Sequence, residues 1–182
     1  MKKVELITDG ACLQNPGPGG WACILRYGAA SKELYGYAPA TTNNRMELMA
    51  AIQGLLALKQ PCEVAVTTDS EYLLKGVTEW MAGWKRRNWW RKRNPIPNAD
   101  LWMELDHLVS RHQTQWLWTR GHSGHPDNER CDHLAETAAA QQRSSWPDNR
   151  PHAALTLGLG PDYVPPRPQE SLFGAMDDDD NA

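Results

Sequence analysis

Two short stretches of the chain share one pattern of apolar and polar positions. Val4-Glu5-Leu6-Ile7-Thr8-Asp9-Gly10 begins as an alternating, β-branched run and closes on a turn signal. Sixty residues on, Val64-Ala65-Val66-Thr67-Thr68-Asp69-Ser70 repeats it, again with an Asp five positions after a Val and directly after a Thr. Both runs predict strands with an aspartate at the carboxyl end. Residues 21–27 and 32–37 predict two further strands joined by a short turn at Gly28, and such short connections join antiparallel neighbours, so the first three strands form a meander. Residues 41–47 open a helix on which Leu48, Ala51, Ile52 and Leu55 recur at helical spacing until Pro61 ends the segment. The strand at Asp69 returns after this crossover, which favours parallel pairing. A short helix over 71–77, a longer one over 100–111, a fifth strand over 115–119 and a last helix from Pro126 follow. The sum is an α/β fold, a mixed five-stranded sheet with helices packed on it. From Arg143 the periodicity stops and Pro becomes frequent. That divides the chain into a folded domain of residues 1–142 and a tail, 143–182, expected to be disordered.

Composition changes this picture in three places. Four Cys (Cys12, Cys23, Cys62, Cys131) have neither metal-ligand spacing nor a dense framework, so reduced thiols and a cytoplasmic location are expected. No apolar run is long enough to span a bilayer. The net charge of −3 conceals an asymmetry: 16 basic and 15 acidic residues up to Gln142, against 3 and 7 thereafter. Charge distribution therefore says more about partners than the sum does.

The chemistry starts from the repeated aspartates. Parallel neighbours lie about 4.8 Å apart, so Asp9 and Asp69 would converge, and two carboxylates that close need a cation between them to stay ionised cheaply. Glu47 and Asp132 lie near the starts of helices that must cover the sheet. Each of the four has a bland reading: a solvated acid, or for Glu47 a capping box with Asn44. Together they supply the hard oxygen ligands that two Mg²⁺ need for phosphodiester chemistry. His122 sits in the Gly-rich loop Arg120-Gly121-His122-Ser123-Gly124-His125-Pro126, where flexible flanks suit a proton carrier. A surface histidine is the plain alternative; a zinc site from His122, His125, Cys131 or His133 fits no standard spacing. Residues 80–93 interleave six basic residues with Trp80, Trp84, Trp89 and Trp90, a nucleic-acid-binding composition in which cations meet phosphates and indoles pack on sugars and bases.

These stretches resemble the type 1 ribonuclease H family, bacterial ribonuclease HI in particular, over roughly residues 3–141. The resemblance is carried by Thr8-Asp9-Gly10 with residues 15–20, by Thr42-Asn43-Asn44-Arg45-Met46-Glu47-Leu48, by Thr68-Asp69-Ser70, by residues 121–126 and by Asn128-Glu129-Arg130-Cys131-Asp132. It implies a ribonuclease H-like sheet of order 3-2-1-4-5 with helices on both faces. It further implies that Asp9, Glu47, Asp69 and Asp132 bind two Mg²⁺ ions (Mn²⁺ as substitute), with His122 assisting turnover. The implied substrate is an RNA–DNA hybrid, contacted by Asn15, Thr42, Asn43 and Asn44 and gripped by a basic protrusion with Trp80, Trp84, Lys85, Arg86, Arg87 and Trp89. The expected protein is a monomeric endonuclease that cuts the RNA strand and leaves 5′-phosphate and 3′-hydroxyl ends.

Ala11, Gln14 and Glu71 depart from the family pattern, Glu71 adding a negative charge beside the expected hybrid path. The tail departs altogether. Gln169-Glu170-Ser171-Leu172-Phe173 is similar to the pentapeptide with which bacterial proteins dock on the DNA sliding clamp, and Phe173 is the single Phe of the chain. An inert tail, or Asp177–Asp180 folding back on the basic protrusion, are the other readings. For the whole chain the rivals are a relative acting on DNA and a non-cleaving hybrid-binding module.

Overall fold

The structure, a computed structural model, describes residues 1–121 and 124–169. Strands β1 (Lys2–Cys12), β2 (Gly17–Tyr27) and β3 (Ala30–Thr41) form the expected antiparallel meander. Helix α1 (Asn43–Leu56) crosses to β4 (Cys62–Thr68), which pairs parallel with β1. Glu71–Lys75 (α2) and Met81–Arg86 (α3) are joined through a π-helical turn, Gly76–Trp80, where the sequence predicts only a short helix. A two-stranded ribbon, β5 (Trp90–Arg91) with β6 (Asn94–Pro95), precedes α4 (Ala99–Val109). Strand β7 (Gln113–Trp118) and helix α5 (Pro126–Gln141) follow. The main sheet runs β3-β2-β1-β4-β7, which is the expected 3-2-1-4-5 order with the ribbon intervening in the count.

Alternation along the strands sends side chains to two cores. Val4, Leu6, Cys23, Leu25, Val64 and Val66 pack under α1 and α4; Ile7, Ala22 and Ile24 pack under Cys131, Leu134 and Ala135 of α5. Helices thus cover both faces. Two glycines permit the close approaches that set the site. A Cβ at Gly10 would lie 2.4 Å from the Glu47 backbone nitrogen, and one at Gly20 would lie 2.1 Å from the Ala135 carbonyl oxygen. Only glycine lets α1 press its first turns onto β1 and α5 lie directly on β2.

Residues 143–169 contain no helix or strand. They run as an extended strap over the α1/α4 face, held by partners that periodicity cannot reveal. Trp146 packs on Trp21 with ring centroids 5.9 Å apart, and the Pro151 carbonyl accepts from Trp21 Nε1 and the Tyr37 amide. Buried Gln53 exchanges two hydrogen bonds with the Ala153 backbone, and the buried Glu104 carboxylate accepts from the Thr156 and Leu157 amides at 2.7 and 2.8 Å.

Candidate active site

Parallel pairing of β1 with β4 runs from Lys2↔Cys62 to Ile7↔Thr67, a constant offset of sixty positions. That register brings Asp9 beside Asp69. The strand run of β1 continues to Cys12, so Asp9 lies two residues beyond the last parallel pair and inside the strand, not at its end. Asp69 follows β4 directly. Its turn is fixed by Thr68 Oγ1, which accepts from the Ser70 amide at 3.0 Å, and by Ser70, which caps α2 by accepting from the Leu73 amide at 3.1 Å.

Glu47 arrives from the first turns of α1. The cap of that helix is Thr42, which accepts from the Arg45 amide, so the alternative capping box between Asn44 and Glu47 does not form and the Glu47 carboxylate lies toward Asp9. Arg45 anchors this end of the helix through a two-pronged pair with the buried carboxylate of Asp100 (2.9 and 2.7 Å) and a further bond to Asn98. The sequence carried no sign of that pairing, because Arg45 and Asp100 lie on different helices with no shared spacing.

One carboxylate oxygen from each of Asp9, Glu47 and Asp69 lies within 4.8 Å of the others, and among the described residues this is the group suited to a metal ion. Burial and the nearby charges of Asp69 and Asp132 push the Asp9 carboxyl up to about 8, although the Gly10 amide donates to it at 2.8 Å. Burial, then Asp9 and Asp69, push Glu47 up as well. Glu47 Oε2 is sealed from solvent with no hydrogen-bond partner. An acceptor oxygen stranded among like charges is costly, and a hard divalent cation satisfies all three acids at once. The residues therefore fit a metal.

Asp132 stands outside the close trio but near enough for its charge to raise Asp9. Its helix is pinned by His125, whose Nδ1 accepts from the Asn128 amide, and by forked pairs from Arg26 to Asp127 and from Arg130 to Glu33. Burial pushes the Cys131 thiol up and directs it toward the Ile7 carbonyl; with His125 serving as helix cap, the zinc alternative loses two of its ligands. His122 lies outside the described residues; a Cβ on its neighbour Gly121 would lie 2.8 Å from Asp69 Oδ2, so Gly121 itself lies against the acidic group.

The expected nucleic-acid contacts divide. Asn15, Asn43 and Asn44 are exposed at the edge of the site beside Thr42, with Asn15 Oδ1 accepting from the Asn43 amide at 3.2 Å. In the basic protrusion Trp84 and Trp89 are 5% exposed and lie in its packing, not on its surface. Trp84 packs on Trp102 and on half-buried Trp80, whose other neighbour is Tyr72. Composition alone could not separate indoles that build the protrusion from indoles on its surface. Lys85 and Arg86 are exposed and Arg87 half-buried, Lys85 pairing with Asp106 at 2.9 Å.

Comparison with known proteins gives this arrangement its relatives. A family model described as RNase H matches residues 1–140. The chain belongs to the RNase H family. Within it, the bacterial type 1 enzymes are the near relatives. The ribonuclease H of Solibacter usitatus is 60% identical over 146 residues, which is 80% of this chain and 100% of that protein. The ribonuclease H of Aeromonas hydrophila is 57% identical over 141 residues, 77% of this chain and 92% of the relative. Among solved structures, LC9-RNase H1, described as a type 1 RNase H with the type 2 active-site motif, superposes with a TM-score of 0.74 at 37% identity, covering 80% of this chain and 75% of that one. As a family member the chain is a ribonuclease H enzyme, and its residues after 140 lie beyond the stretch that the family model matches. No helix among the described residues is long and apolar enough to cross a membrane.

Proposed function

We propose that the protein is an endonuclease that hydrolyses the RNA strand of RNA–DNA hybrids with two Mg²⁺ ions, leaving 5′-phosphate and 3′-hydroxyl ends. The observation that supports this reading most is the stranded Glu47 Oε2 beside Asp9 and Asp69, three acids that a cation lets ionise together at neutral pH. Asp9, Glu47 and Asp69 would hold the ions, Asp132 completing the set from α5. When bound, the pair of ions activates the attacking water and steadies the departing 3′-oxygen. His122 carries a proton or helps product leave. Asn15, Thr42, Asn43 and Asn44 read the 2′-hydroxyls that distinguish RNA from DNA, while Lys85, Arg86 and Arg87 hold the phosphates of the DNA strand, with Trp80 stiffening their base. The protein acts as a monomer in the cytoplasm, whose reducing conditions suit its four free thiols. Removing RNA from hybrids serves replication and repair, and the segment containing exposed Gln169 with Leu172 and Phe173, the last two outside the described residues, would dock on the sliding clamp.

A gel assay with end-labelled hybrid tests the main reading. Cleavage of the RNA strand that requires Mg²⁺, stops with EDTA and spares double-stranded DNA and double-stranded RNA is expected; cleavage of the DNA strand, or hybrid binding with no cleavage, would overturn it. For the tail, a pull-down in which Leu172→Ala/Phe173→Ala retains the clamp as well as wild type would end the docking proposal.

A further inference from the structure

The strap does not stop at the helices it crosses. Its last described residues reach the basic protrusion, on a turn that is itself unusual: Asn88, Trp89 and Lys92 all hold left-handed backbone conformations, with φ of 52°, 65° and 52°. Non-glycine residues adopt that region at a cost and keep it where surroundings enforce it. Part of the enforcement is local, since the Trp89 amide donates to the Trp84 carbonyl at 2.7 Å and the Ile96 amide to the Trp89 carbonyl at 2.8 Å. The rest comes from the strap. Buried Trp90 donates Nε1–H to the Pro165 carbonyl at 2.9 Å, Asn88 Nδ2 donates to the Pro166 carbonyl, and the exposed Arg167 guanidinium lies over the Trp90 ring, 5.2 Å from its centroid.

Three consecutive residues of the strap therefore clasp the turn that presents Arg86, Arg87, Arg91, Lys92 and Arg93. The family model matches residues 1–140, so residues 165–167 lie outside the stretch that defines the family. We infer that the strap is a positioning element for the nucleic-acid grip: Pro165, Pro166 and Arg167 hold the basic turn in its left-handed form and thereby set the affinity for the hybrid, without touching the carboxylates that cut it. This rests on the reading of the protrusion as the hybrid grip.

Three full-length variants test it: Arg167→Gln, which removes the cation from Trp90; Trp90→Phe, which removes the donor and keeps a ring; and Arg167→Lys, which restores a cation. Steady-state cleavage of a hybrid and amide hydrogen exchange over residues 86–96 are measured for each. Arg167→Gln and Trp90→Phe should raise KM about three- to tenfold, the range a cation–π contact or a single hydrogen bond supplies. They should leave kcat within about twofold and speed exchange in 86–96 while β1 and α1 stay protected. Arg167→Lys should recover most of the loss. Unchanged KM and exchange in Arg167→Gln would overturn the inference, as would a fall in kcat at constant KM. The exchange comparison needs no substrate, so it decides the clasp even if wild type cleaves no hybrid; wild-type cleavage separately decides the reading on which the inference rests.

Discussion

Asp9 and Glu47 share a position that neither could hold alone in an ionised state. Their burial and mutual repulsion hold a proton in the site, and with Asp9 at about 8 the folded chain binds more protons than the unfolded chain between about pH 4 and pH 8. The contribution of these two acids to the stability of the metal-free protein then falls as pH rises through that window. Thermal unfolding in EDTA should show it, and added Mg²⁺ should raise Tm more at pH 8 than at pH 5, because the cation displaces the proton only where the acids pay to be charged. Asp9→Asn should flatten the pH dependence and stabilise the metal-free chain at pH 8; a metal-free Tm that climbs from pH 5 to pH 8 would contradict the assignment. Gly10 belongs to the same scale. The turn signal in the sequence was real information misplaced: β1 continues through Gly10, whose missing side chain instead makes room for α1. Gly10→Ala should cost about 2 kcal/mol or more by overpacking, read from the denaturation midpoint, and should weaken Mg²⁺ binding by moving Glu47 off Asp9.

Elements place these residues through their ends. The β1/β4 register delivers two aspartates, the first turns of α1 deliver Glu47, and α5, clamped at its start, carries Asp132 about two turns in. The register was legible because the two runs repeat at a fixed interval with the same residue before each Asp. The start of α1 was not, since Thr42 and Asn44 are both good caps and only packing on Gly10 selects Thr42. Thr42→Ala should cost about 1 kcal/mol, whereas Asn44→Ala should change stability little; equal losses in chemical denaturation would mean that the cap is misassigned. The basic protrusion is a second such case. Lys85 and Arg86 are exposed and Arg87 half-buried, while Trp84 and Trp89 form the packing behind those charges, a division that composition does not show.

On the scale of the whole molecule, the boundary at Gln142 divides what periodicity can see from what it cannot. Helices and strands announce themselves by recurring apolar positions. The strap has none, being extended and fastened by side chains of the body: buried Trp21, Gln53, Trp90 and Glu104 each hydrogen-bond to its backbone. Sequence offered a faint sign in Trp146 and in buried polar residues on otherwise apolar helix faces. Truncation after Gln142 leaves these groups unsatisfied and should lower stability by about 4 kcal/mol or more, measured by urea denaturation, where a freely attached tail would change nothing.

Asp69→Asn tests the central claim most directly, because it removes one charge from the cation cage and little volume. Hybrid affinity and Mg²⁺-dependent cleavage are measured on one preparation beside wild type. Binding of the hybrid should persist within about threefold while cleavage falls by about a thousandfold or more. Turnover retained near the wild-type rate would mean that the three gathered acids are not what cuts the RNA.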